Sequence, residues 1–162
     1  MGDDETVWVE REFGGTDFRD DDLSRLRTER VVFTECDFSG VDMSESEHVG
    51  SAFRNCTFRR TSLLHSVFAH CSFLGSVFTE CRMRPIKFVE VDFTLAVLGS
   101  ADLRGVDLSD CRLRETSLVE ADLRGARIDP TLWTSASLRG AKVDIEQAMA
   151  FAAAHGLDIH GA

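Results

Sequence analysis

Apolar side chains recur at every fifth position through most of the chain. In ADLRGVDLSDCRLRETSLVEADLRG, residues 101–125, leucines occupy positions 103, 108, 113, 118 and 123. A step of five turns about 140° around an α-helix and changes sides in a β-strand, so neither element keeps these leucines on one face. The same step from Phe13 to Val143 visits 27 positions, and all of them except Thr28 and His48 are apolar.

The position two residues before each of these side chains is also restricted. It holds Ala, Cys, Ser, Thr or Val at 23 of the 27 steps, and all five cysteines lie there. A chain that turns through a fixed angle every five residues places both positions inside a four-sided coil of 20 residues. Such coils stack at about 4.8 Å with backbone hydrogen bonds between them. The pattern therefore predicts an all-β solenoid, a quadrilateral parallel β-helix of about six to seven coils.

Sorting the core positions by 20 gives four faces, each with one column of inward side chains. The first face contains Phe13, Phe33, Phe53, Phe73, Phe93, Leu113 and Trp133; the second contains Phe18, Phe38, Phe58, Phe78, Leu98, Leu118 and Leu138; the third contains Leu23, Met43, Leu63, Met83, Leu103, Leu123 and Val143; the fourth contains Thr28, His48, Phe68, Phe88, Leu108 and Ile128. Stacked rings are expected to stabilise neighbouring coils beyond simple burial.

The period also divides the chain into three parts. Residues 1–12 are an acidic lead-in expected to cap the first coil, residues 13–143 are the repeat, and residues 144–162 form a C-terminal capping and dimerisation segment. A capping box of Asp144 and Gln147 predicts a short α-helix over about 145–155. This segment carries more apolar surface than closing one coil requires, which favours a two-fold dimer over a cap alone. The predicted interface consists of Ile145, Met149, Phe151, Ala152 and Leu157.

Candidate chemistry is sparse. The five cysteines face inward, where Cys acts as a small hydrophobic residue. His65 and His70 are expected at the surface, and Thr28 with His48 as a hydrogen-bonded pair in the core. We find no phosphate-binding loop, metalloprotease motif or nucleophile elbow. The sequence therefore predicts no catalytic residues, no metal site, no cofactor and no enzymatic activity.

The net charge limits the kinds of partner that the protein can bind. The 162 residues carry a formal charge of −10, which argues against direct nucleic-acid binding and against an anionic membrane surface. The acidic N-terminus has no apolar signal region, and the longest aliphatic stretch is too short to span a bilayer. We expect a cytoplasmic protein.

Acidic residues often stand just before a core residue, so that those 20 apart stack as carboxylate ladders. With other outward acidic positions, the candidate acidic surface contains Asp17, Asp22, Asp37, Asp42, Glu45, Glu47, Glu80, Glu90, Asp92, Asp102, Asp107, Asp110, Glu120 and Asp122. These carboxylates either bond local turns or make the rod resemble duplex DNA, which has a negative charge about every 1.7 Å. Arginines on the same coils offset much of the charge, so charge alone leaves both interpretations open.

Short motifs point to a known family. CDFSG (36–40) and ADLRG (101–105 and 121–125) resemble the pentapeptide repeat, roughly A(D/N)LXX, and the family fold is a right-handed four-sided β-helix. Longer stretches, among them DFRDDDLSRLRTERVVFTECDFSGVDMSES, GSAFRNCTF, DPTLW and AMAFAAAHGL, are similar to the actinobacterial, mycobacterial-type fluoroquinolone-resistance pentapeptide repeat proteins. Compared with that group, this chain is shorter by about twenty residues after Arg124.

The resemblance implies a function and partners. It implies a DNA-mimicking rod that binds DNA gyrase, inhibits or modulates it, and protects it from fluoroquinolones. It also implies a homodimer joined through the C-terminal ends, with the acidic surface as the gyrase-binding surface. The alternative is a pentapeptide repeat scaffold that binds another, unidentified protein.

Overall fold

The chain is built from very short elements. Within residues 6–161, the part of the chain that this computed structural model describes, there are ten strands and two helices. In order they are β1 (Val7–Val9), β2 (Glu12–Gly14), β3 (Arg27–Glu29), β4 (Val32–Thr34), β5 (Glu47–Val49), β6 (Ala52–Arg54), β7 (Thr57–Arg59), β8 (Ser66–Ala69), β9 (Val77–Thr79), β10 (Ile86–Val89), α1 (Leu132–Ser135) and α2 (Ile145–Ala154). The strands are short because the chain turns a corner every five residues.

Every strand pairs in parallel with a strand 20 residues away. The sheet orders are β1-β3-β5-β8-β10, β2-β4-β6 and β7-β9, and the register aligns Phe13 with Phe33 and Phe33 with Phe53. Strands proper span about four coils, and isolated bridges continue the same register as far as Lys142. The molecule is a right-handed, four-sided β-solenoid ending in a short C-terminal helix, as the five-residue period and the family resemblance predict.

The coil register includes the residues just before Phe13. Strand β1 pairs with β3, and Trp8 takes the inward place opposite Thr28. The Trp8 ring lies 5.1 Å from that of Phe13 and covers the N-terminal end of the core. Arg11 stays exposed, with its guanidinium carbon 5.9 Å from the Trp8 ring centre, although its position in the repeat points inward.

The corners require an unusual backbone conformation. The residue two positions after a core side chain forms the corner, and most corner residues have a positive φ, for example +71° at Gly105 and +73° at Gly125. Glycine fits there because it has no Cβ to clash with the neighbouring carbonyl. Sixteen described corner residues are not glycine and adopt φ values between 49° and 62°.

Two columns of phenylalanines fill the N-terminal half of the core. On the first face, ring centroids lie 4.8–5.4 Å apart along Phe13, Phe33, Phe53, Phe73 and Phe93. On the second face they lie 4.7–5.0 Å apart along Phe18, Phe38, Phe58 and Phe78. Leu103 and Leu123 continue the core of the third face and are fully buried. Because the coil spacing suits ring stacking, each aromatic pair adds about 0.5–1.5 kcal/mol beyond burial.

Helix α2 closes the C-terminal end of the solenoid. Its capping box is complete, since Asp144 accepts from the Gln147 amide while the Gln147 side chain accepts from the Asp144 amide. Asp144 also accepts from the Gly125 amide at 3.0 Å. The Gln147 side-chain amide donates to the carbonyls of Leu123 at 2.6 Å and Ala126 at 3.0 Å. These bonds replace those that a further coil would make.

Candidate protein-binding surfaces

The predicted aspartates are first of all structural. Asp17 is paired across coils with Asp37, Asp22 with Asp42, and Asp102 with Asp122. In all six of these aspartates one carboxylate oxygen accepts the backbone N–H two residues further along, as Asp42 does from Ser44 at 2.9 Å. The same bond is made by Asp17, Asp22, Asp37, Asp92, Asp102, Asp107, Asp122 and Asp129. The aspartates therefore hold the corners, and their remaining charge is available to a partner.

On the C-terminal half of the third face, arginines alternate with the stacked aspartates. Asp102 contacts Arg84 at 3.1 Å and Arg104 at 2.9 Å, while Asp122 contacts Arg104 at 3.8 Å and Arg124 at 2.7 Å. Hydrogen bonds from Arg104 lower the pKa of Asp102 to about 2, and those from Arg124 do the same to the pKa of Asp122. This part of the predicted acidic surface is an ion-pair ladder and carries no net negative charge.

Most of the predicted acidic surface is paired in a similar way. Ten of its fourteen members lie within 4.0 Å of a basic side chain: Asp17, Asp37, Glu45, Glu47, Glu80, Glu90, Asp92, Asp102, Asp107 and Asp122. Among the described residues, Asp22, Asp42, Asp110 and Glu120 have no such neighbour. Asp22 and Asp42 stack directly on each other, so two of these four carboxylates lie together on one face.

The C-terminal end is strongly apolar. Ile145 is 80% exposed and Leu157 63% exposed, and Met149 and Phe151 also face solvent, while Ala152 is half-buried. Beside them an open groove of about 580 Å³ lies between helix α2 and the last coil, and Trp133 is among its lining residues. The predicted dimerisation residues thus lie together on one end of the rod.

The histidines lie in different environments. His48 is fully buried, and burial lowers its pKa to about 3. His70 is exposed and lies 2.9 Å from Glu90. Among residues 6–161, no three His, Cys, Asp or Glu side chains are placed to hold a metal ion. Within the same residues no helix has the length and apolar character needed to cross a bilayer.

The second face has an uncharged region that the core positions alone do not reveal. On the second face, the outward strand positions from Val77 to Val119 carry no charge. We call the neutral patch the set Val77, Thr79, Val97, Gly99, Val119 and the corner residue Leu95. Sorting the outward positions by 20 reveals it, because charged residues occupy the same columns at Asp37 and Arg139.

The repeat and the fold both match known proteins. A family model described as a pentapeptide repeat region matches residues 61–138. The chain also superposes on QnrB1, a plasmid-mediated fluoroquinolone resistance protein, with a TM-score of 0.54 at 18% identity, covering 96% of this chain and 100% of that one. The chain therefore contains a pentapeptide repeat region, and its solenoid has the fold of QnrB1.

The sequence is also similar to mycobacterial relatives. It is 64% identical over 102 residues to the pentapeptide repeat protein MfpA of Mycobacterium tuberculosis, which is 63% of this chain and 56% of that protein. It is 79% identical over 63 residues to MfpA of Mycolicibacterium smegmatis, 39% of this chain and 33% of that protein. The chain thus spans about half the length of the first relative and a third of the second. A quinolone resistance pentapeptide repeat protein, QnrB96 of Scandinavium goeteborgense, is 26% identical over 93 residues, 54% of this chain and 34% of that protein.

Proposed function

We propose that this protein binds DNA gyrase by presenting carboxylate ladders in place of DNA phosphates. By doing so it inhibits or modulates the enzyme and protects it from fluoroquinolones. It acts by binding and carries out no reaction of its own. Since gyrase works on chromosomal DNA, the proposal places the protein in the cytoplasm.

The stacking of Asp22 on Asp42 is the observation that carries the proposal. One carboxylate per coil gives an axial charge spacing of about 4.8 Å, of the same order as the roughly 3.4 Å of helix axis per phosphate on one DNA strand. Both aspartates are fixed by their bonds to Ser24 and Ser44, at 3.0 Å and 2.9 Å, so the charges are preorganised. The similarity to MfpA, together with the more distant similarity to a quinolone resistance pentapeptide repeat protein, favours gyrase over another partner of the same electrostatic type.

The proposed active form is a homodimer joined through helix α2. Two exposed apolar ends, each carrying Ile145, Met149 and Leu157, bury one another in a two-fold contact. Such an arrangement doubles the length of the rod and repeats its acidic coils at both outer ends. The rod itself is not expected to bind nucleic acid, because its net charge of −10 repels phosphate.

The test is a supercoiling assay with gyrase from Mycolicibacterium smegmatis, titrated with this protein in the presence and absence of a fluoroquinolone. We expect inhibition near stoichiometric protein, together with fewer drug-stabilised cleaved complexes. A folded protein that changes neither readout would sink the gyrase proposal and leave a scaffold for another partner.

A further inference from the structure

Apolar exposure in the middle of the rod is not explained by the fold. A solenoid exposes apolar core at its ends because no coil follows, and most of the exposed large apolar side chains of the described chain lie there. Four do not: Val49, Leu74, Leu95 and Val97. Val49 stands on another face beside Glu47, whereas the other three cluster at the corner between the first and second faces.

The neutral patch is flat and continuous. Val77 and Val97 are bridged across neighbouring coils, and the Ser100 amide bonds to the Val119 carbonyl of the next coil at 2.8 Å. Leu95, at the edge of the patch, is 51% exposed, and Val97 is 38% exposed. Over three coils this surface offers methyl groups and backbone where the same face carries Asp17 and Asp37 nearer the N-terminus.

Leu95 occupies a position where a leucine is unfavourable. Its φ is +60°, a conformation in which a Cβ is strained, and it is the one apolar side chain among the sixteen non-glycine residues of the described chain that have a positive φ. Asn55 occupies the same corner two coils earlier and suits this conformation better. Folding would favour such a residue at position 95, so the exposed leucine points to a role in binding.

Two arginines mark the ends of the patch. Arg59 and Arg139 stand in the same outward column as Gly99, two coils to either side, which places them roughly 19 Å apart. Neither has an ion pair within the part of the chain that the structure describes. A second copy docked face to face about Gly99 would bring Arg59 against Arg139 of that copy, and the like charges would repel.

We infer that the neutral patch docks on a protein surface of gyrase. The centre of that surface is apolar and uncharged, and carboxylates at its edges lie opposite Arg59 and Arg139. The inference rests on the proposed function. Carboxylate ladders alone would attract any DNA-binding protein, since they imitate a feature that all DNA shares. An apolar surface with two flanking charges offers contacts that DNA does not make, and therefore supplies specificity for one partner.

The test compares three variants in gyrase binding and supercoiling inhibition. Leu95→Asn removes the apolar side chain without changing charge, and Val97→Lys places a charge inside the patch. Val49→Lys is the matched control, because it adds the same charge at an exposed mid-rod valine on another face. We expect about threefold weaker inhibition for Leu95→Asn, at least tenfold for Val97→Lys, and less than twofold for Val49→Lys. Thermal melting should show Leu95→Asn to be at least as stable as the unmodified protein.

Three results would overturn the inference. The first is full inhibition by both Leu95→Asn and Val97→Lys, which leaves the gyrase proposal standing. The second is an equal loss in Val49→Lys, which indicates a general effect of added charge. The third is a lower sedimentation mass for Val97→Lys, which makes the patch an interface between copies. If the unmodified protein itself fails to bind gyrase, the proposed function falls and this inference falls with it.

Discussion

The hydroxyl of Thr28 lies 2.7 Å from Nδ1 of His48 in the next coil, inside the core. Nε2 of the same ring lies 3.0 Å from the hydroxyl of Ser46, which donates to the Met43 carbonyl at 2.6 Å. A neutral His48 ring with its proton on Nε2 satisfies all of these hydrogen bonds, because Nδ1 accepts from Thr28 and Nε2 donates to Ser46. The pair expected from the sequence is thus part of a polar network that fixes the pairing of two coils.

This network predicts a pH-dependent stability. Burial lowers the His48 pKa from 6.5 to about 3, and the side chains around it, Thr28, Ser46, Ser51, Phe53 and Phe68, carry no charge. Between pH 6.5 and 3 the unfolded chain binds a proton that the folded protein does not, so stability falls as the pH is lowered. The slope approaches about 1.4 kcal/mol per pH unit.

The replacement His48→Phe removes this slope. The Phe ring still stacks on Phe68, and Thr28 and Ser46 keep their contacts with Ser51 and the Met43 carbonyl. Thermal melts at pH 7.0 and 5.0 should show a clearly larger loss of Tm in the unmodified protein than in His48→Phe. Equal losses would mean that His48 titrates near its ordinary pKa.

Removing charge at Asp22 and Asp42 should weaken gyrase inhibition without unfolding the protein. The double variant Asp22→Asn with Asp42→Asn keeps the oxygen that accepts from Ser24 and Ser44, so the corners stay formed. We expect roughly fivefold more protein for half-inhibition, because close charge contacts contribute strongly to electrostatic recognition.

A matched pair controls for net charge. Asp92→Asn with Asp107→Asn removes the same charge from aspartates that make the same bonds to Thr94 and Ser109, but these lie near Arg112 and Arg127. This variant should inhibit gyrase nearly as well as the unmodified protein. If both double variants lose gyrase inhibition equally, the stacked Asp22 and Asp42 have no special role.

Charges on helix α2 should separate the proposed dimer. Ile145 and Met149 are exposed at 80% and 49%, so Ile145→Glu with Met149→Glu leaves the core intact. Analytical ultracentrifugation should give the 18.0 kDa of a single chain for this variant and twice that mass for the unmodified protein. Ala150→Glu, on another side of the helix, should remain dimeric. A single-chain mass for the unmodified protein contradicts the dimer proposal.

Three cysteines, Cys56, Cys71 and Cys111, should be inert in the folded protein. Burial raises the pKa of Cys56 to about 12 and those of Cys71 and Cys111 to about 11. At pH 8 the fraction of each thiol present as the reactive thiolate is therefore on the order of one in a thousand or less. Iodoacetamide followed by mass spectrometry should leave these three unmodified in native protein and label them in guanidinium chloride. Fast native labelling of Cys56 would show that the coils open readily.

The period of five indicated which side chains lie inside, because a four-sided coil leaves no other common direction for Phe33 or Leu103. It also placed Asp102 over Asp122, since stacking follows from spacing by 20. It did not indicate that Arg104 lies between them, because a long side chain has many rotamers and its position depends on neighbours in two coils. The neutral patch was readable from the sequence, but only from the outward columns, where Val77 and Val97 stand in line.

Because the register repeats every 20 residues, the length of the rod can change in fixed steps. Removing one whole coil shortens it by about 4.8 Å and leaves every remaining column on its own side. Removing a single block of five turns everything beyond it by a quarter of a revolution, so that the neutral patch would point away from the side on which Asp17 and Asp37 lie. Changes of length are therefore tolerated by a partner only in whole steps, whereas the fold itself accepts either.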